Sequence, residues 1–369
     1  MKEKKLIKWY FIIISILLLP LPTLNIIFLF INADELFVDK LNKKVLFSTD
    51  NIEGNINYLS YKTFGYSFNK GQVIIGKEGF LFLGNDYKKV LDKIQGTYFY
   101  TQNDIKKWSN QLKNIQNWYE ARDIKFVITI APNKHSVYKD KLPNWININD
   151  KTITDDIVLF AKKKNINILD LRNTLIKQNK PQLYFSTDTH WNNKGASIAY
   201  KETIKYINKI YHTNYKIADY NLSNIGEGSG DLSKFLKISS LLSKNYEINY
   251  KFNFINESEV CQGNIDKKYQ LKKCKNSKNH NMNIEIKDKY MINRTSLNKY
   301  KLLLLCDSFG TANSKPYNET FSTIWKFHYK RINGQSLSSF IHKHKPDIVI
   351  YQIVERGLYD FDIVKQLHN

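Results

Sequence analysis

Lys301-Leu302-Leu303-Leu304-Leu305-Cys306-Asp307-Ser308-Phe309 is the stretch on which the fold turns. Four consecutive leucines without polar alternation have the character of a strand buried on both faces, as in a parallel sheet covered by helices. Because the run stops at Asp307, Ser308 falls at a strand's carboxyl end, where open α/β sheets collect their ligands. Phe126-Val127-Ile128-Thr129-Ile130-Ala131 and Ile348-Val349-Ile350-Tyr351-Gln352-Ile353 repeat the apolar, β-branched pattern of central strands. Ile166 to Leu171 reads as another strand, after a helix from Thr154 to Lys164 with Thr154 as its cap.

Between these strands the periodicity changes to that of helices. Ile105, Trp108, Leu112, Ile115 and Tyr119 recur at spacings of three and four, predicting a helix from Asp104 to Arg122 that buries one face. Gly195 to Tyr211 reads the same way. Strand-helix-strand alternation implies an α/β fold, a parallel sheet with right-handed crossovers and helices on both faces. Ahead of it, Val73-Ile74-Ile75 and Phe80-Leu81-Phe82-Leu83 flank Gly76-Lys77-Glu78-Gly79, a hairpin signature. Ser239 to Tyr300 is polar and rich in Lys and Asn, with short alternating runs, and reads as an inserted β-ribbon.

Far upstream of Ser308 stands Asp188-Thr189-His190-Trp191, on a loop before the helix that ends at Tyr211. A serine hydroxyl is a weak nucleophile until a base takes its proton, and that base must be held in the right tautomer by a third group. Ser308, His190 and Asp188 are the three residue types this chemistry needs. Read without further help, they are more readily three unrelated polar residues on loops, since any chain of this length holds serine, histidine and aspartate in abundance.

The two motifs together resemble the SGNH-hydrolase-like O-acetyltransferases of bacterial exopolysaccharide assembly, the AlgJ/AlgX group of alginate acetylation. Further matches follow in the family's order: Gly76 to Leu83, Ala131-Pro132-Asn133-Lys134-His135-Ser136-Val137-Tyr138 with Leu142-Pro143, Gly230-Asp231-Leu232 and Val354-Glu355-Arg356. The likeness spans roughly residues 70 to 360. It implies Ser308 as nucleophile, His190 as general base and then acid, and Asp188 as its orienting carboxylate. Asp307 is then left to shape the serine turn, and the backbone N–H of Ser308 to serve the oxyanion. Trp191, Asn133 and Arg356 are carried as candidate substrate-binding residues, with Tyr351 as another neighbour. Core packing beneath the loop is the favoured reading of Trp191 over a face for a sugar ring, and Arg356 is equally the cation of a salt bridge. Cys306 departs from the family, which usually has glycine there; whether that glycine is wanted for its conformation or for its smallness stays open at this point.

Trp9 through Phe30 is 22 residues without a charge, after Lys2, Lys4 and Lys5. Such a run spans a bilayer's roughly 30 Å hydrocarbon core, and the lysines favour a cytoplasmic N-terminus. Ile31-Asn32-Ala33-Asp34 is a poor cleavage site, which favours an anchor over a removed signal peptide. Pro20 and Pro22 would kink the span. The expected organisation is therefore residues 1–32 as cytoplasmic N-terminus and anchor, 33–70 as stem, and 71–365 as catalytic domain with its insertion at about 239–300. The body would face the periplasm or the exterior. There Cys261 and Cys274, 13 residues apart, leave a disulfide and a pair of free thiols both open.

A formal charge of +22 suits anionic partners, although lysines scattered among asparagines and isoleucines also fit compositional bias. No zinc-finger, RNA-binding or homeodomain signature accompanies that charge, so nucleic acid is not expected as a partner. His342-Lys343-His344 reads as a surface turn, and without His-Glu-x-x-His, paired cysteines or a Gly-rich phosphate loop no metal or cofactor is expected. The expected function is transfer of acetyl through a serine ester to hydroxyls of an exported polysaccharide. Since acetyl-CoA is cytoplasmic, the resemblance implies a multi-pass membrane O-acyltransferase as donor. The alternatives are a carbohydrate esterase with the same triad, or a non-catalytic scaffold of an export complex.

Overall fold

In the computed structural model the leucine run is a central strand covered on both faces. Residues 2–31, 48–255, 258–277 and 288–359 are described. In chain order the strands are β1 (Val73–Ile75), β2 (Leu81–Leu83), β3 (Lys125–Ala131), β4 (Ile168–Asp170), β5 (Tyr220–Glu227), β6 (Glu247–Phe254), β7 (Val260–Asn264), β8 (Lys275–Ser277), β9 (Lys289–Asn293), β10 (Asn298–Cys306), β11 (Phe321–His328) and β12 (Ile348–Val354). The main sheet has eight of them, ordered β4-β3-β12-β10-β11-β9-β7-β8. The first five are parallel, with Leu304 facing Ile350 on one side and Lys326 on the other.

Side-chain alternation divides the core into two layers. Leu303 and Leu305 join the helices Gln102–Glu120, Ile153–Lys163 and Gly334–His344, while Leu302, Leu304 and Cys306 join Asn193–Tyr211 and Gly310–Thr320. Each fully buried leucine is worth roughly 1.5–3 kcal/mol against exposure, so the leucine run holds β10 in the interior of the sheet. A third apolar cluster, with Phe82 of the β1–β2 hairpin, Val137, Tyr184, Trp191 and Phe309, forms around the loops that carry the functional motifs.

Several local expectations shift. The cap of the helix Ile153–Lys163 is Thr152, in a capping box with Asp155, because Thr154 points inward to Glu355 and Tyr359. His342-Lys343-His344 is the last turn of the helix Gly334–His344, whose Leu337, Phe340 and Ile341 are buried; the His344 ring packs 4.2 Å from that of Phe340. The insertion is not a free ribbon. β6 pairs back with β5, while β7, β8 and β9 extend the main sheet antiparallel beyond β11, so the sheet is mixed. A disulfide joins Cys261 to Cys274, and Cys306 is a buried free thiol.

Part of the expected stem belongs to the body. The helix Asp50–Thr63 docks through Gly54, Ser60 and Tyr61, and the Tyr61 hydroxyl donates to the Gly79 carbonyl at 2.9 Å. Residues 32–47, which hold the rest of the stem and most of the cleavage motif, lie outside the described residues, as do 256–257, 278–287 of the insertion and 360–365. At the N-terminus, helices Lys2–Leu18 and Pro20–Ile31 meet at Leu19, directly before Pro20. Ile7–Ile27, 21 residues with mean hydropathy 2.2, is long and apolar enough to cross a membrane, a property that anchors and signal sequences share.

Candidate active site

β10 ends at Cys306 and the helix Gly310–Thr320 starts four residues later, so Ser308 sits on a strand-to-helix turn. Asp307 shapes that turn. Its buried carboxylate accepts from the backbone N–H of Phe309 at 3.0 Å and of Val354 at 2.7 Å, tying the serine turn to the end of β12. Burial raises the Asp307 pKa, against the lowering influence of those two N–H groups and of Arg356. Cys306 has no positive φ, so no glycine-like conformation is required at its position. The thiol needs only room, and Gly310 supplies it, since a Cβ there would lie 2.4 Å from the Cys306 Sγ.

Across 118 residues of sequence, Ser308 Oγ meets His190 Nε2 at 2.7 Å. His190 Nδ1 lies 2.6 Å from Asp188 Oδ1, which also accepts from the His190 backbone N–H at 2.9 Å. A carboxylate only accepts, so the imidazole proton sits on Nδ1 and Nε2 is left to accept from the serine hydroxyl. Burial works against the charge on Asp188. The hydrogen bond and charge of His190, with the N–H groups of Asp231 and His190, outweigh it and hold the carboxyl at about 2. For His190 burial pulls the pKa down, while Asp188 first and Asp231 next raise it above the ordinary 6.5.

The loop bearing Asp188 and His190 is clamped from three directions. Buried Lys134 donates from Nζ to the carbonyls of Phe185 (3.0 Å), Ser186 (2.9 Å) and Asp188 (2.7 Å), three acceptors for its three protons. Burial brings the Lys134 pKa down to about 8, opposed by the negative charges of Glu247, Asp188 and Asp231. Glu247 of β6 accepts from the N–H of Ser186 (2.8 Å) and Thr187 (2.5 Å). Asp231 accepts from the Thr189 N–H at 2.8 Å, and its own N–H donates to Asp188 Oδ2 at 2.9 Å. That approach needs Gly230, where a Cβ would stand 2.1 Å from the Asp188 Cβ. Glu355 does similar work below, accepting from the Asn133 N–H (2.9 Å) and the Ser136 hydroxyl (2.7 Å).

Lys134→Met should therefore loosen the loop without touching a reacting atom. Removing the ammonium leaves three buried carbonyls without their donor, for a predicted loss of about 1–3 kcal/mol in urea unfolding and a fall in kcat larger than any rise in KM. An unchanged kcat would show that the loop does not depend on this clamp.

The remaining sequence candidates fall into place unevenly. Trp191 is 2% exposed and its indole N–H donates to the Phe309 carbonyl at 3.0 Å, so it braces the serine turn from beneath while the edge it leaves uncovered borders the cleft above Ser308. Asn133 is also buried; its side-chain oxygen accepts from Arg356 Nη1 at 3.3 Å. The Arg356 guanidinium lies 5.5 Å from the Phe309 ring centre and, among the described residues, makes no salt bridge. Tyr351 is buried in the core. Among the described residues, the Ser308 N–H has no protein acceptor.

Above Ser308 a cleft of about 250 Å³ is walled by Phe185, Asn193, Glu227, Asn249, Thr311 and Lys315. None of these was singled out from sequence, nor was Glu247, since nothing local marks a polar residue of a solvent-patterned hairpin as facing a cleft. Lys134, Asp231 and Glu355 do lie in motifs quoted above, without a role assigned. Asp188, His190 and Asp231 place ligand-type atoms within 4.8 Å of one another, a grouping that could gather a cation. Their bonds are already directed elsewhere: Asp188 to His190, His190 to Ser308, and both Asp231 oxygens to Thr189.

The family described as "SGNH hydrolase-like domain, acetyltransferase AlgX" matches residues 73–257, half of the sequence. The chain belongs to that family. No curated protein matches. Bacillus cereus PatB1 is structurally similar at 15% identity and TM-score 0.59, covering 78% of this chain and 97% of that one. The same protein with a sulfonyl adduct matches at 13% and 0.58, over 80% and 97%. A DHHW family protein from Eubacterium siraeum matches at 14% and 0.59, covering 83% of this chain and 99% of its own. At these identities the likeness is one of fold. As an AlgX-type SGNH-like protein the chain belongs among acetyltransferases, with Ser308 lying C-terminal to the matched region.

Proposed function

We propose that this protein is a membrane-anchored extracytoplasmic O-acetyltransferase acting through an acetyl-Ser308 ester on hydroxyls of a cell-surface or exported polysaccharide. The observation that carries this reading is the unbroken line Ser308 Oγ, His190 Nε2, His190 Nδ1, Asp188 Oδ1, with contacts of 2.7 and 2.6 Å, at the floor of an open cleft in a member of an acetyltransferase family. In the first half-reaction Ser308 Oγ attacks the donor's acetyl carbonyl while His190 Nε2 takes the hydroxyl proton. The Ser308 N–H receives the developing oxyanion, and His190 returns the proton to the leaving group. In the second, an acceptor hydroxyl gives its proton to Nε2 and attacks the serine ester, after which the proton goes back to Ser308 Oγ.

Polar walls suit a hydroxyl-rich acceptor. Glu227, Asn249 and Asn193 offer hydrogen-bonding groups, and Lys315 adds a cation whose pKa burial lowers, against the charge of Glu227. Arg356 beside Phe309 is the leading candidate for a further contact near the reacting carbonyl. The apolar N-terminal helix is read as the anchor that keeps the enzyme beside a multi-pass membrane acyltransferase, which would bring acetyl from the cytoplasmic pool.

Incubation of the purified chain with a chromogenic acetyl ester and a candidate glycan tests the reading. Acetylated glycan is the expected product. Free acetate with unmodified glycan would favour the esterase alternative, and neither product would favour the scaffold. A serine-directed sulfonyl reagent should modify Ser308 and block both products.

A further inference from the structure

The helix Asp50–Thr63 has two faces of opposite character. Gly54 and Tyr61 are buried against the body, and Asn57 donates to the Leu236 carbonyl at 2.9 Å. On the other side Ile52, Ile56 and Leu59 recur at spacings of four and three, which sets them on one stripe of an α-helix. They are 37%, 51% and 59% exposed, and no described residue covers them. Beyond the helix end the pattern continues: Phe64 and Phe68 are 76% and 65% exposed, and Lys70 Nζ stands 4.4 Å from the Tyr66 ring centre and 5.2 Å from that of Trp145.

We propose that this stripe and its aromatic-lysine end lie on the lipid surface of the membrane, so that the catalytic body is held against the bilayer by a second contact besides its apolar span. Continuity with the span argues for that occupant. Asn25, near the outer end of the apolar stretch, donates to the Ser48 carbonyl at 2.8 Å and accepts from Asn51 Nδ2 at 3.0 Å, placing the start of the helix beside the point where the chain leaves the bilayer. Charge agrees. Asp50 and Glu53 are both engaged by Lys237 of the body, at 2.6 and 2.5 Å, while Lys62 and Lys70 are exposed. A helix with an apolar stripe, few free acids, and aromatic and lysine side chains at its end has the chemistry of an interfacial element on an anionic membrane.

The inference rests on the anchored reading above, and its test separates the two. Cys261 and Cys274 are bonded to each other and Cys306 is buried, so a maleimide dye labels an introduced cysteine selectively. Full-length Leu59→Cys and, as control, Lys268→Cys on the turn after β7, whose neighbours pack into a different core cluster from Tyr61, are labelled with an environment-sensitive dye and reconstituted in vesicles of phosphatidylcholine with phosphatidylglycerol. Carbonate extraction of the same vesicles reports the span independently. A blue-shifted Leu59 label, quenched about threefold more strongly than the control by a nitroxide lipid in vesicles that resist extraction, is the expected result; the same label signal in extractable vesicles would overturn the anchor and the two-contact arrangement with it. Equal quenching of the two labels in carbonate-resistant vesicles would overturn the docked face while leaving the anchor intact. Equal quenching in extractable vesicles would overturn both. Protection of the Leu59 label only when glycan or a membrane protein is added would likewise overturn the lipid assignment.

Discussion

Ser308→Ala is expected to abolish acetyl transfer, with a loss on the order of 10⁶ in kcat, because the covalent step has no substitute once its oxygen is gone. The fold should barely notice. Ser308 is only partly buried, and its side chain's hydrogen bond is the one to His190. The turn around it is held by Asp307 and by Trp191, neither of which needs the hydroxyl. Thermal unfolding should therefore shift by less than about 1 kcal/mol equivalent. Normal glycan acetylation in cells carrying the variant would remove Ser308 from the chemistry and leave the scaffold reading standing.

Asp188→Asn should cost about 10⁴ in kcat while leaving KM within a few fold. The amide is the same size, but its NH2 can meet His190 Nδ1 as a donor and drive the proton to Nε2, the atom that must accept from Ser308. The pH profile carries a second readout. Catalysis needs neutral His190, whose pKa stands above 6.5, so activity should rise with pH through a midpoint higher than that of a free histidine. Without the Asp188 charge, burial pulls the imidazole down and the midpoint should move to lower pH. Stability follows the same linkage. A raised folded pKa means that protonated His190 contributes stability fully present below 6.5 and lost as pH climbs through its folded value. Asp188, held at about 2 against an ordinary 3.8, stabilises above that ordinary value and loses its contribution as pH falls towards 2. An Asp188→Asn variant with the parental acid limb would contradict the assigned pairing.

What the residues announced and what they hid have physical reasons. β10, β3 and β12 were legible because strands buried on both faces must be apolar throughout. The pairing of Ser308 with His190 came from motif resemblance, since nothing local in either segment says that 118 residues of chain will close between them. Thr154 looked like a cap, but Asp155 lies three residues after Thr152, and that spacing sets the capping box. β7, β8 and β9 alternate like any exposed strand, and alternation does not name the partner a strand will pair with. Lys134 was hidden for another reason: a lysine is ordinarily a surface residue, and only the convergence of three carbonyls makes its burial tolerable.

One hairpin serves two masters. Glu247 of β6 grips the backbone of the loop that carries Asp188 and His190, and Glu227 of β5 and Asn249 of β6 form part of the cleft wall that an acceptor would meet. Grafting this hairpin from a relative would therefore transplant acceptor preference and turnover together, and chimaeras that exchange the wall residues while retaining Glu247 are the ones that would uncouple them.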